Sequence, residues 1–314
     1  MKLTNPIYSD ENKAREHLEA LHWPHGPVCP RCGVLGRATK LEGKSTRPGV
    51  YKCKDCRKPF SVTVGTLMER SHIKINVWLA AMHLMTSSKK GMSAHQMGRM
   101  LGVSYESAWF LCHRLREAMA PVTGKAGPLG GEGKIVEADT TYVGGKEKNK
   151  HVGKRNPKNI GGKGKQIVHS LVERGGHARS HHIANINGET LRPILMTQVD
   201  CKSSLMTDTA GGYLKVGKEF ARHEMVDHGA DEYVRGDAHS NTVEGYFSIF
   251  KRGIIGVYHH VSEAHLKRYL AEFDFRYSNR AGLGINDAYR AEKAIVAMKG
   301  KRLTYRRIDG AQNV

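Results

Sequence analysis

Four cysteines have the residue type and spacing of a metal site. Cys29 and Cys32 form one C-x-x-C pair, and Cys53 and Cys56 form a second pair twenty residues later. Each pair can occupy a tight turn whose backbone amides point at the sulfurs, and two facing turns present four thiolates in tetrahedral positions. With a strand expected at 60–64, the pattern predicts a zinc ribbon whose closed, non-catalytic Zn²⁺ stabilises a small domain. A redox pair and structural disulfides are the less favoured alternatives.

Acidic residues mark three predicted elements in the second half of the chain. Residues 134–143 predict a strand on which Glu137 and Asp139 share one face, because residues two apart point the same way. A short apolar run ends in Asp208, and a predicted helix carries Glu244 in its first turns. Partner strands are expected at 166–172 and 181–186. Carboxylates are the ligands that hard cations prefer, although such acids also occur solvated in ordinary α/β domains.

The charge of the chain favours a polyanionic partner. Fifty Lys and Arg against thirty Asp and Glu give a net charge of +20 and a pI near 9.7. Nucleic acid is the commonest such partner, because each neutralised phosphate releases counterions; a merely basic, ribosomal-type surface is the alternative. Residues 1–10 are polar, and no apolar run approaches the roughly 20 residues that span a bilayer. We therefore expect a cytoplasmic protein that associates with nucleic acid and has no membrane partner.

The segment after the cysteines predicts a helix-turn-helix. Residues 76–86 have the apolar periodicity of a helix, Ser93 begins a second helix with a capping box, Gly102 ends it, and Ser104 begins a third. Two short helices joined by a tight turn are typical of DNA-binding domains, although a plain helical hairpin has the same pattern. The predicted outer face of the third helix carries three basic side chains: His113, Arg114 and Arg116. We expect the two arginines to contact DNA.

Residues 144–166 form a glycine-rich basic run with eight Lys or Arg and six Gly. Such a composition disfavours a stable helix, so we expect a mobile loop beside the first strand that follows DNA phosphates. A solvated loop without function is the alternative. The predicted DNA contacts in and beyond this loop are Lys146, Lys148, Lys150, Lys154, Arg155, Lys251 and Arg252.

Several motifs together resemble a group of bacterial insertion-sequence transposases. They are the acidic strand followed by Tyr-Val-Gly-Gly at 142–145, Thr-Asp at 207–208, the run Gly-Asp-Ala-His-Ser-Asn-Thr-Val-Glu-Gly at 236–245, and Lys-Arg-Gly at 251–253. The group is numbered fifteen-ninety-five, and the similarity extends from about Trp23 to Arg280. It implies an N-terminal zinc ribbon and a ribonuclease-H-like catalytic core of the DDE type.

The resemblance implies that Asp139, Asp208 and Glu244 are the three catalytic acids. Thirty-five residues separate Asp208 from Glu244, a spacing common among such enzymes. Two Mg²⁺ or Mn²⁺ ions roughly 4 Å apart would stabilise the attacking and leaving oxygens of a phosphodiester, with Asp139 bridging both ions and the other acids each holding one. We expect Glu137 to support the site without binding metal. His239 and Asn241 would position these groups or contact DNA, unless they only cap the helix.

The predicted fold is α/β, with a ribonuclease-H-like mixed-sheet core preceded by a zinc ribbon and a helix-turn-helix. The expected domains are a ribbon with an N-terminal extension (1–68), a helix-turn-helix domain (69–122), a linker (123–133), a catalytic domain (134–298) and a basic tail (299–314). The expected function is metal-dependent cleavage and strand transfer at terminal inverted repeats. The partner would be double-stranded DNA, bound by a dimer or larger assembly. A DNA-binding regulator with an inactive core and a nuclease without joining activity are the alternatives.

Overall fold

The computed structural model describes residues 3–121, 127–227 and 234–304. By its internal contacts the chain divides into two compact units. The first unit combines residues 1–119 with 285–314, and the second unit comprises residues 120–284. Residues 123–126 of the predicted linker and 305–314 of the predicted tail lie outside the described residues. Across the described ranges, no helix has the length and apolar character needed to cross a bilayer.

The first unit begins with a helix and a small antiparallel sheet. Its elements are α1 (Glu11–His22), β1 (Ala38–Lys40), β2 (Tyr51–Cys53) and β3 (Pro59–Phe60), and β2 is the central strand. On β2, Tyr51 and Cys53 are buried while Lys52 between them is exposed, as the alternation of a strand requires. The rings of Trp23, Tyr51 and Phe60 pack with centroids 5.4–5.9 Å apart. This small aromatic core lies beside the cysteines.

Three helices follow: α2 (Ile75–Ser87), α3 (Ala94–Leu101) and α4 (Tyr105–Met119). Ser93 caps α3 as predicted, because its hydroxyl accepts a hydrogen bond from the Gln96 amide at 3.2 Å. The Gln96 side chain contacts Met100 Sδ at 3.9 Å. Gly102 ends α3 in the left-handed conformation (φ 67°). A Cβ on Gly98 would lie 3.0 Å from the Val103 carbonyl oxygen, so glycine lets the α3–α4 turn close.

The second unit contains the predicted mixed sheet. Its elements are β4 (Ile135–Val143), β5 (Gln166–Glu173), β6 (Ala178–Ile183), α5 (Gly188–Gln198), β7 (Ser204–Asp208), β8 (Arg222–Val226), β9 (Val234–Arg235), β10 (Ala238–His239), α6 (Asn241–Gly253) and α7 (Glu263–Ser278). The five-stranded order is β6-β5-β4-β7-β8. Strands β4, β5 and β6 are antiparallel neighbours, whereas β7 runs parallel to both β4 and β8. This ribonuclease-H-like sheet confirms the predicted fold class.

Strand β6 begins and ends three residues before the predicted strand 181–186. The reason is the short turn after β5. Gly175 adopts a left-handed conformation (φ 67°), and the Glu173 amide donates to the His177 carbonyl at 2.9 Å. Pairing therefore resumes at Ala178, opposite Val172.

Helices cover both faces of the sheet. Val136 and Ala138 of β4 belong to a core that includes Leu191 and Leu195 of α5. Val143, on the other face of β4, belongs to a second core whose largest members come from α6 and α7: Tyr246, Phe247, Phe250, Leu266, Leu270 and Phe273. Because side chains alternate along a strand, Glu137 and Asp139 point to the α6 side of the sheet.

The last helix, α8 (Asp287–Val296), belongs to the first unit. His22 Nε2 lies 3.1 Å from the Ile295 carbonyl oxygen, and Arg290 donates to the Thr86 carbonyl at 3.1 Å. Residues 299–304 also pack here, since Lys301 Nζ donates to two carbonyl oxygens of α4 at 2.9 Å each. The predicted boundary at residue 298 therefore does not coincide with a boundary between the compact units, and residues 299–304 are not a free tail.

Candidate active site and metal centre

The four predicted cysteine ligands come together in the first unit. Their Sγ atoms all lie within 4.8 Å of one another, and the Cys29–Cys56 and Cys32–Cys53 pairs are 3.6 Å apart. A Zn–S bond of about 2.3 Å gives sulfur separations of roughly 3.8 Å in a tetrahedron. Burial raises the pKa of Cys29, but hydrogen bonds from backbone amides of its own turn outweigh it and lower the pKa to about 7. The cluster fits a structural Zn²⁺ ion.

The three predicted acids converge in the second unit. Strands β4 and β7 are parallel, and Ala138 lies opposite Thr207. Asp139 and Asp208 are the next residues on these neighbouring strands and therefore lie side by side. Burial is the largest cause that raises the pKa of Asp139, and together with the charges of Asp208 and Glu244 it raises this pKa to about 7, against a hydrogen bond from the Thr140 amide that lowers it. A carboxyl group crowded by two others is the usual setting of a cation site.

The acids are more widely spaced than the cysteines. Among the described residues, the four cysteines form the one group of three or more potential ligands that all lie within 4.8 Å of one another. Two cations about 4 Å apart do not require the outer acids to meet, so the wider spacing fits the predicted arrangement. Neighbouring donors orient these acids: the Ala210 amide donates to Asp208 at 3.1 Å, and the Ser240 hydroxyl donates to Glu244 at 2.7 Å.

Glu137 fixes the start of the helix that carries Glu244. Its carboxylate is fully buried and accepts hydrogen bonds from the Thr242 amide (2.7 Å), the Val243 amide (2.9 Å) and the Thr242 hydroxyl (2.8 Å). These amides belong to the first turn of α6, which otherwise lacks acceptors. Strand β4 therefore carries Asp139 and, two residues earlier, anchors the helix of Glu244. The contacts agree with the predicted supporting role of Glu137.

Arg174 completes this anchor, and the sequence pattern did not indicate it. Its Nε donates to Glu137 at 2.6 Å, and its Nη2 donates to the His239 carbonyl at 3.0 Å and lies 3.0 Å from His239 Nδ1. His239 thus belongs to the hydrogen-bond network at the start of α6, as the capping alternative expected. Asn241 is exposed at the same helix end.

A second residue beside the acids was also missed by sequence analysis. Tyr213 is fully buried and its hydroxyl lies 3.2 Å from His169 Nδ1. Burial raises its pKa well above the usual value, and the charges of Asp208 and Asp139 act in the same direction. Tyr213 reaches this position because the chain turns back after β7, and hydrophobic periodicity does not predict such a turn.

The basic loop at 144–166 contains two single-turn 3-10 helices, Glu147–Asn149 and Val152–Lys154, and no longer helix. Lys146 and Lys148 are exposed, whereas Lys150 pairs with Glu147 at 2.8 Å. Arg155 donates to the carbonyls of Lys150 and Lys148, at 2.8 Å each, and so braces the loop. The side chain of Lys154 lies outside the described atoms. Lys251 and Arg252 are exposed on α6.

Two of the three basic residues that were predicted on the exposed face of α4 are buried, so that prediction is wrong for them. His113 and Arg116 are 1% and 2% exposed. Arg114 is half-buried, lies over the Phe110 ring at 4.5 Å and donates to the Leu303 carbonyl at 3.1 Å. The cause is the packing of α8 and residues 299–304 within the first unit, which covers the end of α4.

The exposed side of the helix pair lies on α3 and the first turn of α4. The rings of His95 and Tyr105 stack there with centroids 4.1 Å apart. The large exposed side chains of this surface are His95, Gln96, Arg99, Met100, Tyr105 and Glu106. This surface, and not the end of α4, is available to a partner.

Two family models match the chain. Residues 9–59 match the transposase zinc-ribbon domain, and residues 128–278 match the ISXO2-like transposase domain of the IS1595 group. The chain is a DNA transposase of this group. The transposase is 28% identical to an uncharacterized protein in transposable element ISH50 of Halobacterium salinarum, over 86% of this chain and 91% of that protein. A chain in the crystal structure of a pre-cleavage Mos1 transpososome matches 72% of the transposase and 80% of its own length, with 13% identity and a TM-score of 0.26.

Proposed function

We propose that this transposase binds the terminal inverted repeats of an insertion sequence, cleaves the DNA there and transfers the ends to a target. Asp139, Asp208 and Glu244 would hold two Mg²⁺ or Mn²⁺ ions. The observation that supports this most directly is the convergence of three carboxyl groups from β4, β7 and α6. Their mutual repulsion in a partly buried place would be relieved by divalent cations.

The proposed reaction has two displacements at phosphorus. In the first, a water oxygen attacks the phosphodiester at the element end and the bond to the 3′ oxygen breaks. The water proton passes to solvent, and the released 3′ oxygen takes up a proton from solvent and becomes a 3′-hydroxyl. In the second, the oxygen of this 3′-hydroxyl attacks a target phosphodiester, the bond from phosphorus to the target's 3′ oxygen breaks, and the hydroxyl proton passes through solvent to that leaving oxygen. When bound, the cations would stabilise the attacking and leaving oxygens. Glu137 and Arg174 would hold the start of α6 in place, so that Glu244 keeps its position relative to Asp139 during both steps.

Two surfaces of the chain suit DNA. In the second unit, Lys146, Lys148, Lys251 and Arg252 are exposed and would neutralise phosphates of the reacting strand. Asn241, exposed at the start of α6, would contact the same strand. In the first unit, the exposed side of α3 and the first turn of α4 would contact the terminal repeat, as such helix pairs do in other DNA-binding domains.

Transposition requires both ends of the element, so we propose that a dimer or larger assembly forms on DNA. Light scattering of the protein with an end oligonucleotide tests this. We expect a mass of at least two chains and two oligonucleotides; one chain per oligonucleotide at saturation would contradict it.

The decisive experiment is joining of an oligonucleotide from the DNA flanking the gene to a plasmid, with Mg²⁺ or Mn²⁺. We compare the wild type with Asp208→Asn, which keeps the shape of the side chain. Glu189→Gln is the matched control, because Glu189 is exposed on α5, on the opposite face of the sheet. We expect Asp208→Asn to reduce joining by at least about 1,000-fold, a loss typical for a group that acts directly in catalysis. The control should join at the wild-type rate.

Each other result identifies an alternative. Joining that survives Asp208→Asn would overturn the assignment of the acids. Specific binding by the wild type without cleavage would indicate a regulator, and cleavage without joining would indicate a nuclease.

A further inference from the structure

A cavity of about 570 Å³ lies in the second unit between the end of β4, the basic loop and the end of α6. Basic side chains form part of its lining: Lys146, Lys148, Lys165, Lys251, His259 and His260. Four lysines around one cavity favour an anionic occupant. The volume falls in the range of about 300–1,000 Å³ that suits small organic ligands.

Apart from Asn149, the rest of the lining consists of apolar side chains, Tyr142 and glycines, which phosphate recognition alone does not require. Tyr142 and Ile255 line the cavity although they are 42% and 70% exposed, and Phe250 and Ile254 lie beside them. The Tyr142 ring packs against backbone, because a Cβ on Gly162 would collide with it. An aromatic ring and aliphatic side chains inside a lysine-rich cavity match a ligand that has both a flat apolar part and a negative charge.

The backbone at the cavity is unusual. Helix α6 continues into a π-helix at Ile254–Tyr258, and His259 follows with a φ of 58°, a conformation that non-glycine residues seldom adopt. Both features cost conformational energy and occur preferentially at functional sites. Here they bring Ile255 and His259 to the cavity wall.

The cavity also adjoins the candidate active site. Its lining includes Tyr142 on β4, three residues after Asp139, and Lys251 on α6, seven residues after Glu244. An occupant anchored at Lys251 would therefore be next to the reacting phosphate.

We propose that this cavity binds one unpaired nucleotide of the DNA strand held at the active site. Its base lies against Tyr142 and Ile255, and its phosphate contacts Lys165 and Lys251. The inference rests on the proposed function, which supplies the DNA strand. Duplex DNA by itself would need the lysines but not the apolar wall, because its bases are stacked inside the helix.

Binding of a ten-nucleotide single strand of thymidine and of a blunt duplex tests the proposal. Base stacking contributes about 1–3 kcal/mol per base, which corresponds to roughly 5- to 150-fold in affinity. We expect Ile255→Ser and Tyr142→Leu to weaken single-strand binding at least 5-fold and duplex binding less than 2-fold. Tyr142→Phe, which keeps the ring, should bind like the wild type.

The matched controls are Val152→Ser and Ile160→Ser. Both side chains are about 80% exposed on the same basic loop and do not line the cavity. We expect wild-type affinity for both oligonucleotides. Equal weakening of single-strand and duplex binding, no weakening by Ile255→Ser, or the same loss in the controls would each overturn the proposal.

This result is independent of the joining assay. Wild-type joining with no effect of Ile255→Ser on single-strand binding would reject the nucleotide site and keep the proposed function. If Ile255→Ser selectively weakens single-strand binding in a protein that never joins DNA, the nucleotide site is kept and the proposed function is rejected.

Discussion

The cysteine cluster of the first unit fits a metal, and the carboxylates of the second unit are proposed to bind metal, but the two sets of residues are held in different ways. The sulfurs lie within 4.8 Å of one another in a ribbon whose sheet strands have two or three residues. The carboxylates are spaced more widely: Asp139 and Asp208 lie on neighbouring inner strands of a five-stranded sheet with a core on each face, and Glu244 lies on α6.

The difference indicates what each metal does for the protein. The ribbon buries little apolar surface, so the bonds to Zn²⁺ must supply much of its folding free energy. The acids are positioned by a sheet and a capped helix that fold around them, so the proposed cations would contribute to the chemistry and not to the fold. Loss of one of the four cysteines should therefore unfold the ribbon. Loss of one of the three acids should stop the reaction and leave the second unit folded.

The largest effect should come from Cys53→Ser. Structural zinc sites contribute about 10–16 kcal/mol of binding free energy that is also folding free energy. We expect bound zinc, measured by elemental analysis, to fall from about one ion per chain to near zero. Trypsin should then cleave within residues 29–60, because the unfolded backbone around their exposed lysines and arginines can enter the protease active site.

The control for this change is Cys201→Ser, a partly exposed cysteine of the second unit. It should retain zinc and resist trypsin. Full zinc content in Cys53→Ser would contradict the role of the cysteines in holding zinc. Unfolding of the second unit by Asp208→Asn would contradict the expectation that this unit folds without its cations.

A smaller effect is expected for Glu137→Gln. The glutamine amide would face donors on α6 and leave Arg174 without its buried partner. Breaking a buried ion pair costs about 3–5 kcal/mol. We expect the second unit to unfold at a temperature several degrees lower. The joining rate per bound complex should also fall, while the affinity for DNA from the element end stays unchanged.

Glu132→Gln, an exposed acid of the same unit, is the control and should behave like the wild type. A wild-type joining rate in Glu137→Gln would show that the position of Glu244 does not depend on this anchor.

The smallest effect concerns Asp274, a partly buried acid outside the cluster of three acids. Burial raises its pKa to about 6, against hydrogen bonds from Tyr246 and Ser180 that lower it. The folded protein therefore keeps this proton at a pH where the unfolded chain has lost it. The stabilisation is complete below the unfolded pKa of about 3.8 and is lost as pH rises to about 6.

Urea unfolding of the wild type and Asp274→Asn between pH 4 and 7 measures this contribution. The free energy of unfolding of the wild type relative to the variant should fall by up to about 3 kcal/mol between pH 4 and 6 and then level off, from 1.36 kcal/mol per pKa unit. A difference that is constant across this range would contradict it.

Local patterns predicted much of this structure. The C-x-x-C spacing predicted the sulfur cluster, because each pair fits one turn. The alternation at 134–143 predicted β4, and Ser93 with Gly102 bounded α3. These features depend on residues close in sequence, so one chain suffices to find them.

Contacts between distant segments were not predicted. Burial of Arg116 depends on how the first unit packs, which includes residues more than 160 positions further along the chain. The anchor formed by Arg174 and Glu137 depends on how the β5–β6 turn meets α6. Charge and periodicity describe one element at a time and do not show which element will cover another.

The placement of α8 in the first unit has a consequence for protein synthesis. A ribosome makes a chain from its N-terminal side, so residues 120–284 of the catalytic unit are translated before α8. The nascent chain can complete its catalytic sheet while the unit with the ribbon and the helix pair still lacks its last helix. A transcript interrupted near residue 284 would then yield a whole catalytic unit joined to an unfinished DNA-binding one.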